Sequence, residues 1–152
     1  MTSDTLTAQR ARLALAILAF DAFTENHDRR PGNSNVLAKG DELRIIDHEL
    51  CFRLRQLLWP RPEPWRLGYL DWLIKPEGHV FATPLRRAKT LDTGPIRAVW
   101  SALSDDDLAD CQRALPPEWA SASGAVSDAL GHLQAVRGRI EECIAEIERA
   151  LT

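Results

Sequence analysis

The sequence predicts a mainly helical domain with one small β-hairpin near its start. An apolar series at intervals of three or four residues runs from Val126 to Leu151, and a second helical pattern spans residues 4–25. Between residues 36 and 47, two short apolar runs flank a Gly-containing turn, which is typical of a hairpin. We expect residues 1–152 to form a single domain, large enough to bury about two thirds of its unfolded surface.

Composition excludes several classes of protein. The chain is 45% hydrophobic and 27% charged, and its net charge of -3 gives no overall attraction to nucleic acid or an anionic membrane, so we expect neither partner. The longest uncharged apolar run, residues 13–20, is far shorter than the ~20 residues that span a bilayer. With no secretory signal pattern at the N-terminus, we expect a cytoplasmic protein whose three cysteines are reduced core residues.

The first predicted helix, residues 4–25, delivers the chain to a polar loop. Residues 2–5 supply possible N-caps for it. Asp21 lies inside its apolar stretch, so its carboxylate must meet either a polar partner or solvent. In the loop, residues 26–35, Pro31 and Gly32 interrupt any periodicity.

The hairpin, residues 36–47, follows the loop directly. We predict strands at residues 36–38 and 43–46, joined by a turn at residues 39–42. This places Asn33 and Asp47 at the same end of the hairpin, where both could reach one metal ion.

The remainder, residues 53–152, is predicted to be a helical body. We expect helices at residues 53–59 and 65–73, an ambiguous helix or loop at 79–91, a short helix around 96–103, a helix capped by Ser104, and a long helix from 126 to 151. The aromatic residues Trp65, Tyr69 and Trp72 favour core packing over ligand stacking. The acidic run at residues 105–107 indicates a helix start rather than a metal cluster. Glycines within the long helix indicate either close packing or simple tolerance.

The residues that carry chemistry lie in the loop and hairpin. Asp28 precedes Asn33 by five residues, and Asp47 follows Asn33 by fourteen. This is the order and approximate spacing of the base and the two metal-binding residues in protein kinases. Phosphoryl transfer needs Mg²⁺, oxygen ligands for it and a carboxylate near the attacking hydroxyl. The alternative is a polar turn in which Asp28, Asn33 and Asn35 bond to their own backbone.

Three stretches carry a resemblance to a known family. Residues 20–37 read F-D-A-F-T-E-N-H-D-R-R-P-G-N-S-N-V-L, residues 45–52 read I-I-D-H-E-L-C-F, and residues 115–119 read L-P-P-E-W. With the closing helix, they resemble the HipA-like kinases, in particular the small HipA-like-domain members, which are related to the phosphatidylinositol kinases. The resemblance implies the C-terminal lobe of a protein-kinase-like fold, with ATP and Mg²⁺ as cofactors.

The resemblance also implies roles for individual residues. Asp28 and Asn33 would be the catalytic residues, and Asn33 and Asp47 the metal ligands. Asn35 would support the loop on the cofactor side. Apart from the resemblance, the position of His48 next to Asp47 leads us to expect it on the cofactor side too, as a hydrogen-bonding neighbour. His48 stands next to Asp47, where protein kinases have Phe.

One part of the kinase pattern is missing. Kinases of this type have an N-terminal lobe with a phosphate-covering loop and an ATP-pairing Lys, whereas Lys39, Lys75 and Lys89 all follow the predicted catalytic loop. We therefore expect a C-lobe with weak or no ATP affinity by itself, partnered by an N-lobe polypeptide or by self-association, and acting on an unknown phosphate acceptor. The alternative is a non-catalytic remnant that serves as a protein-binding or regulatory module through its Trp-rich face.

Overall fold

The computed structural model describes residues 6–52, 62–88 and 90–152, and within them the mainly helical prediction with one hairpin is confirmed. The segment predicted to be helical at 53–59, including Trp59, lies outside the described residues, as does Lys89. The helices and strands are α1 (Ala8–Phe23), β1 (Val36–Lys39), β2 (Glu42–Ile45), a first 3₁₀ helix (Tyr69–Ile74), α2 (Ala82–Arg86), α3 (Gly94–Ala102), α4 (Asp105–Arg113), a second 3₁₀ helix (Pro117–Ala122), α5 (Ser123–Gly138) and α6 (Ile140–Leu151).

Helix α1 begins later than its apolar pattern predicts. Its N-cap is Thr7, whose hydroxyl accepts the Arg10 N–H at 3.2 Å, instead of a residue between 2 and 5. The helix ends at Phe23, where the Thr24 N–H caps the Phe20 carbonyl. Glu25 then has a φ of 59°, and this left-handed residue turns the chain out of the helix toward the loop.

The hairpin has the predicted position with a tighter turn. Val36 pairs with Ile45 and Lys39 pairs with Glu42, so both ends of the predicted four-residue turn belong to the strands. Only Gly40 and Asp41 remain to connect them, and Gly40 supplies the positive φ of 57° that this turn requires. Strand β2 contacts α1, which fixes the hairpin against the helical body.

The core lies between α1, the first 3₁₀ helix, α2 and α6. Burial of this apolar surface supplies the main driving force for folding. The aromatic residues Trp65, Tyr69 and Trp72 pack against the core, as expected. The fully or almost fully buried core side chains are Ala14, Leu15, Leu18, Ala19, Ala22, Phe23, Leu70, Leu73, Ala82, Leu85, Val136, Cys143, Ile144, Ile147 and Ala150.

The long helix predicted over residues 126–151 is two helices, so that prediction is wrong. Arg139 has φ -127° and ψ 30°, which breaks the helix immediately after Gly138 and separates α5 from α6. A Cβ added at Gly131 or Gly138 would meet no atom within 4 Å. Close packing therefore does not explain these glycines, and simple tolerance does.

The acidic run begins a helix as predicted, whereas the three cysteines do not all lie in the core. Helix α4 begins with a complete capping box between Ser104 and Asp107, which confirms the acidic run as a helix start. The cysteines are free, yet only Cys143 is buried, and Cys111 is exposed, so the core prediction is wrong for Cys111. In the described part of the chain, no helix is long and apolar enough to cross a membrane.

Candidate functional site

The loop between α1 and β1 brings three of the predicted site residues together. The Asp28 carboxylate accepts hydrogen bonds through Oδ2 from Nδ2 of Asn33 at 2.8 Å and from Nδ2 of Asn35 at 3.2 Å. The Asp28 side chain is 18% exposed, so the carboxylate is held by the loop and still reached from solvent. These side chains bond to one another, which gives a fixed carboxylate instead of a mobile one.

A tight turn returns Asn33 to Asp28. The backbones of Arg30 and Asn33 exchange two hydrogen bonds, of 3.1 and 3.0 Å, across Pro31 and Gly32. Gly32 has a φ of 88°, which a residue with a side chain adopts only with strain. The five-residue spacing from Asp28 to Asn33 thus matches a closed turn that sets the two side chains face to face.

The exit from the hairpin carries Asp47 and His48. The Ile46 N–H donates to the Asn35 carbonyl at 3.0 Å, which extends the hairpin pairing by one step and places Asp47 at the same end as the loop. Asp47 has a φ of 59° and an exposed side chain. A left-handed residue other than Gly stores strain, and such residues cluster at functional sites. The His48 ring packs edge-on against Phe20, with the ring centroids 5.8 Å apart.

Beneath the loop lies a buried ionic network that the sequence did not predict. The Asp21 side chain has no exposed surface, and its Oδ2 is 2.6 Å from Nε of Arg29 and 2.9 Å from Nε2 of His79. Its Oδ1 accepts from Nδ2 of Asn26 at 2.8 Å. The solvent-facing alternative for Asp21 is therefore wrong. A carboxylate with this many charged and polar donors can be buried without a large net cost.

Arg29 connects this network to the candidate site. Its Nη1 donates to the backbone carbonyl of Asn35 at 2.5 Å and lies 3.4 Å from the carbonyl of Ile46. One buried guanidinium therefore contacts the residues immediately before Asp47 and immediately before β1. Only Arg has the five fixed N–H donors needed to bond a carboxylate and several carbonyls together. The sequence signal was present, since a carboxylate in an apolar helix face requires a partner.

His79 completes the network in a defined tautomer. Its Nε2 faces Asp21, and its Nδ1 accepts the Phe81 N–H at 3.2 Å, so Nδ1 carries no proton and the ring is neutral. Burial lowers the pKa of His79 below its ordinary value, although the neighbouring Asp21 opposes that shift. The next residue, Val80, donates its N–H to the Arg29 carbonyl at 3.0 Å, which joins this segment to the loop backbone as well.

The donor set at the loop suits a hard cation such as Mg²⁺. Asn33 engages Asp28 through its amide nitrogen, so its amide oxygen is directed away from that carboxylate, and Asp47 offers an exposed carboxylate. Carboxylate and amide oxygens are the ligands that Mg²⁺ prefers. No group of three or more His, Cys, Asp or Glu side chains suited to a metal occurs in the described ranges. A Mg²⁺ site that also binds a phosphate group needs fewer protein side chains, because phosphate and water oxygens complete the coordination.

Comparisons with known proteins add no family to this geometry. Protein-family models, curated proteins and solved structures were compared with the chain, and none of them matches it.

Proposed function

We propose that this chain is the C-terminal lobe of a cytoplasmic, ATP- and Mg²⁺-dependent kinase of HipA-like type, which transfers phosphate to a Ser, Thr or other hydroxyl. The observation that carries the proposal is the position of the Asp28 carboxylate. It accepts hydrogen bonds from Asn33 and Asn35, at the end of the hairpin that leads to Asp47. The sequence order alone would not have required these side chains to meet.

In the proposed reaction, Asp28 orients the acceptor hydroxyl and accepts its proton. The two amide donors occupy Oδ2, and the contact of Oδ1 within the described part of the chain is the longer one with Arg30, at 3.7 Å. An oxygen with this freedom suits a general base, which must come within hydrogen-bond reach of the proton it removes. Asn33 and Asp47 would hold Mg²⁺, which neutralises charge on the transferred phosphate when it is bound.

The buried network supports this role by holding the site rigid. Arg29 fixes the backbone on both sides of the site, through the carbonyls of Asn35 and Ile46. Phosphoryl transfer depends almost entirely on positioning and electrostatics, so loss of this support should lower the rate.

The hairpin surface supports the need for a second lobe. Leu37 is 57% exposed and Ile46 is 44% exposed, although both belong to the hairpin segment that frames the site. We propose that an N-lobe polypeptide or a second copy of the chain covers this surface and completes the nucleotide pocket. The same exposure favours the alternative function, a non-catalytic module that binds a protein partner, and adds the hairpin surface to the Trp-rich face predicted for that contact.

Two measurements test the proposal. The first is paramagnetic broadening of backbone amide resonances by Mn²⁺, which we expect at residues 33 and 47 and which Asp47→Asn should weaken at least tenfold. The matched control is Asp106→Asn, an exposed carboxylate at the start of α4.

The second measurement is Mg²⁺-dependent transfer from γ-labelled ATP, after the chain is mixed with the polypeptide encoded immediately upstream. We expect Asp28→Asn to reduce transfer at least a hundredfold. Mn²⁺ binding without any transfer would favour the binding-module alternative, and absence of both would refute the kinase proposal.

A further inference from the structure

A second cluster of polar and aromatic side chains adjoins the candidate site, formed by Glu25, His27, Tyr69 and Trp72. Glu25 is the left-handed residue after α1, and only 7% of its side chain is exposed. Its Oε2 accepts the Tyr69 hydroxyl at 2.9 Å and lies 3.3 Å from Nε2 of His27. Its Oε1 is buried and has no hydrogen-bond partner among the described residues. A carboxylate oxygen left in this state is costly, and such an exception in a folded protein calls for an explanation.

The His27 ring occupies the space beside this carboxylate. It stacks on the Trp72 indole with the ring centroids 3.9 Å apart and the planes 25° apart, while its own side chain is 52% exposed. The imidazole is therefore the outermost member of the cluster. The Nε1 of Trp72 is likewise buried, with no hydrogen-bond partner in the part of the chain that the structure describes. A flat nitrogen-containing ring thus lies against an indole face and within reach of a carboxylate.

A guanidinium group fits this arrangement better than imidazole does. It is flat, it stacks on Trp faces, and it can donate two parallel N–H groups to both oxygens of one carboxylate. Imidazole reaches only Oε2, whereas a guanidinium would also satisfy Oε1. Within the cluster, burial and then the charge of Glu25 raise the pKa of Tyr69 above its ordinary value. One guanidinium of the chain, that of Arg66, already lies 5.8 Å from the Tyr69 ring centroid.

We propose that Glu25 and Trp72 form a binding site for a guanidinium group of the phosphate acceptor, and that the His27 ring fills this site in the free protein. The assignment to the acceptor rests on the proposed function, because His27 immediately precedes Asp28 in the chain. Consecutive Cα atoms lie about 3.8 Å apart, so the backbone that carries the proposed guanidinium site continues directly into that of the proposed base, Asp28. The binding of the guanidinium itself requires neither ATP nor Mg²⁺.

The test is an NMR titration of the full chain in which the Trp72 indole N–H resonance is followed. The probe is ethylguanidinium at millimolar concentration, and ethylurea is its neutral isostere. We expect a saturable shift with ethylguanidinium and at least tenfold weaker binding of ethylurea. Equal binding of the two probes, or no saturable shift with either, would overturn the proposal.

Variants locate the binding within the cluster. Glu25→Gln should weaken ethylguanidinium binding at least tenfold, and His27→Ala should strengthen it severalfold by vacating the site. Glu77→Gln, which removes an exposed carboxylate, should change nothing. Retained binding in Glu25→Gln, or loss of binding in His27→Ala, would refute the proposed roles. If Glu25→Gln does not fold, the isostere comparison and the His27→Ala variant decide the question.

A second arm identifies the source of the guanidinium. Acetyl-Arg-Ser-amide is compared with its citrulline analogue, which carries a urea in place of the guanidinium. Tighter binding of the arginine peptide than of ethylguanidinium indicates an Arg side chain of a peptide, and equal binding indicates a small guanidino compound. Because these titrations contain no ATP, their outcome is independent of whether the chain supports phosphotransfer.

Discussion

Nε of Arg29 lies 2.6 Å from Oδ2 of Asp21, and neither side chain has any exposed surface. The pair joins the last turns of α1 to the loop that holds Asp28, and through the Asn35 carbonyl it reaches the hairpin. An ion pair in this position gives a fixed geometry more than it gives stability, because desolvation offsets most of its attraction. The position of the candidate site is therefore set by charges that would be costly to separate.

Removing one partner of this pair should strongly destabilise the protein. Asp21→Asn leaves the Arg29 guanidinium buried without its counter-charge, and we expect a loss of about 3–5 kcal/mol in the free energy of unfolding. Urea unfolding followed by circular dichroism measures it. Asp110→Asn is the control, because Asp110 pairs with Arg113 on the surface and 70% of its side chain is exposed. That change should cost less than about 1 kcal/mol. Equal effects would show that the buried pair is not structurally important.

Local sequence patterns predicted the elements around Asp21 but not the residues that pair with it. The apolar face of α1 and the two short apolar runs of the hairpin are patterns of neighbouring residues. Both elements could therefore be predicted from the sequence. The partners of Asp21 come from Arg29 and His79, which lie eight and fifty-eight residues away in the chain. No local pattern contains that information. The same limit explains the wrongly predicted long helix, since the apolar spacing continues through Arg139 while its backbone does not.

The candidate site divides in the same way. Asp28, Asn33 and Asn35 lie within one loop, so their spacing was informative and the structure brings them together. The cluster around Glu25 joins that loop to Tyr69, forty-four residues away, and nothing in either segment alone indicates the contact.

The protein should become less stable as the pH decreases, because His79 is buried. Burial lowers the pKa of His79 in the folded state below its unfolded value of about 6.5. Below that pH, His79 binds a proton in the unfolded chain and stays neutral in the folded chain. Its contribution to the free energy of unfolding is therefore fully present above about pH 6.5 and is lost as the pH decreases. One such proton corresponds to about 1.4 kcal/mol per pH unit.

Urea unfolding between pH 5 and 8 measures this slope for the wild type and for His79→Gln. We expect the variant to lose the part of the slope that lies below pH 6.5. His48→Gln serves as the control because His48 is exposed, and its curve should parallel that of the wild type. An unchanged slope in His79→Gln would mean that another group causes the acid sensitivity.

Gly78 should tolerate no side chain. A Cβ at this position would lie 2.3 Å from the Trp72 carbonyl oxygen and 2.5 Å from the Leu73 carbonyl oxygen, both of them backbone atoms. The segment would have to move, and with it His79, so we expect Gly78→Ala to cost about 3 kcal/mol or more. Gly131→Ala is the matched control in α5, where the added methyl meets nothing and should stabilise the protein by up to about 1 kcal/mol. Thermal unfolding of both variants separates the two environments.

Asn33→Asp should turn a hydrogen bond into a repulsion and thereby expose the metal-binding capacity of the loop. Nδ2 of Asn33 lies 2.8 Å from Oδ2 of Asp28, so the variant sets two carboxylates face to face, and we expect a lower melting temperature at pH 7. If the loop binds a divalent cation, the extra negative charge strengthens that binding, and millimolar Mn²⁺ should raise the melting temperature of Asn33→Asp more than that of the wild type.

Gln134→Glu adds the same charge on an exposed part of α5 and should show no Mn²⁺ effect. Adding Asp47→Asn to Asn33→Asp should reduce the increase in melting temperature that Mn²⁺ causes, because the cation then loses its second carboxylate. An equally large Mn²⁺-induced increase in the double variant would exclude Asp47 as a ligand. No Mn²⁺-induced increase in Asn33→Asp itself would contradict a metal site in this loop.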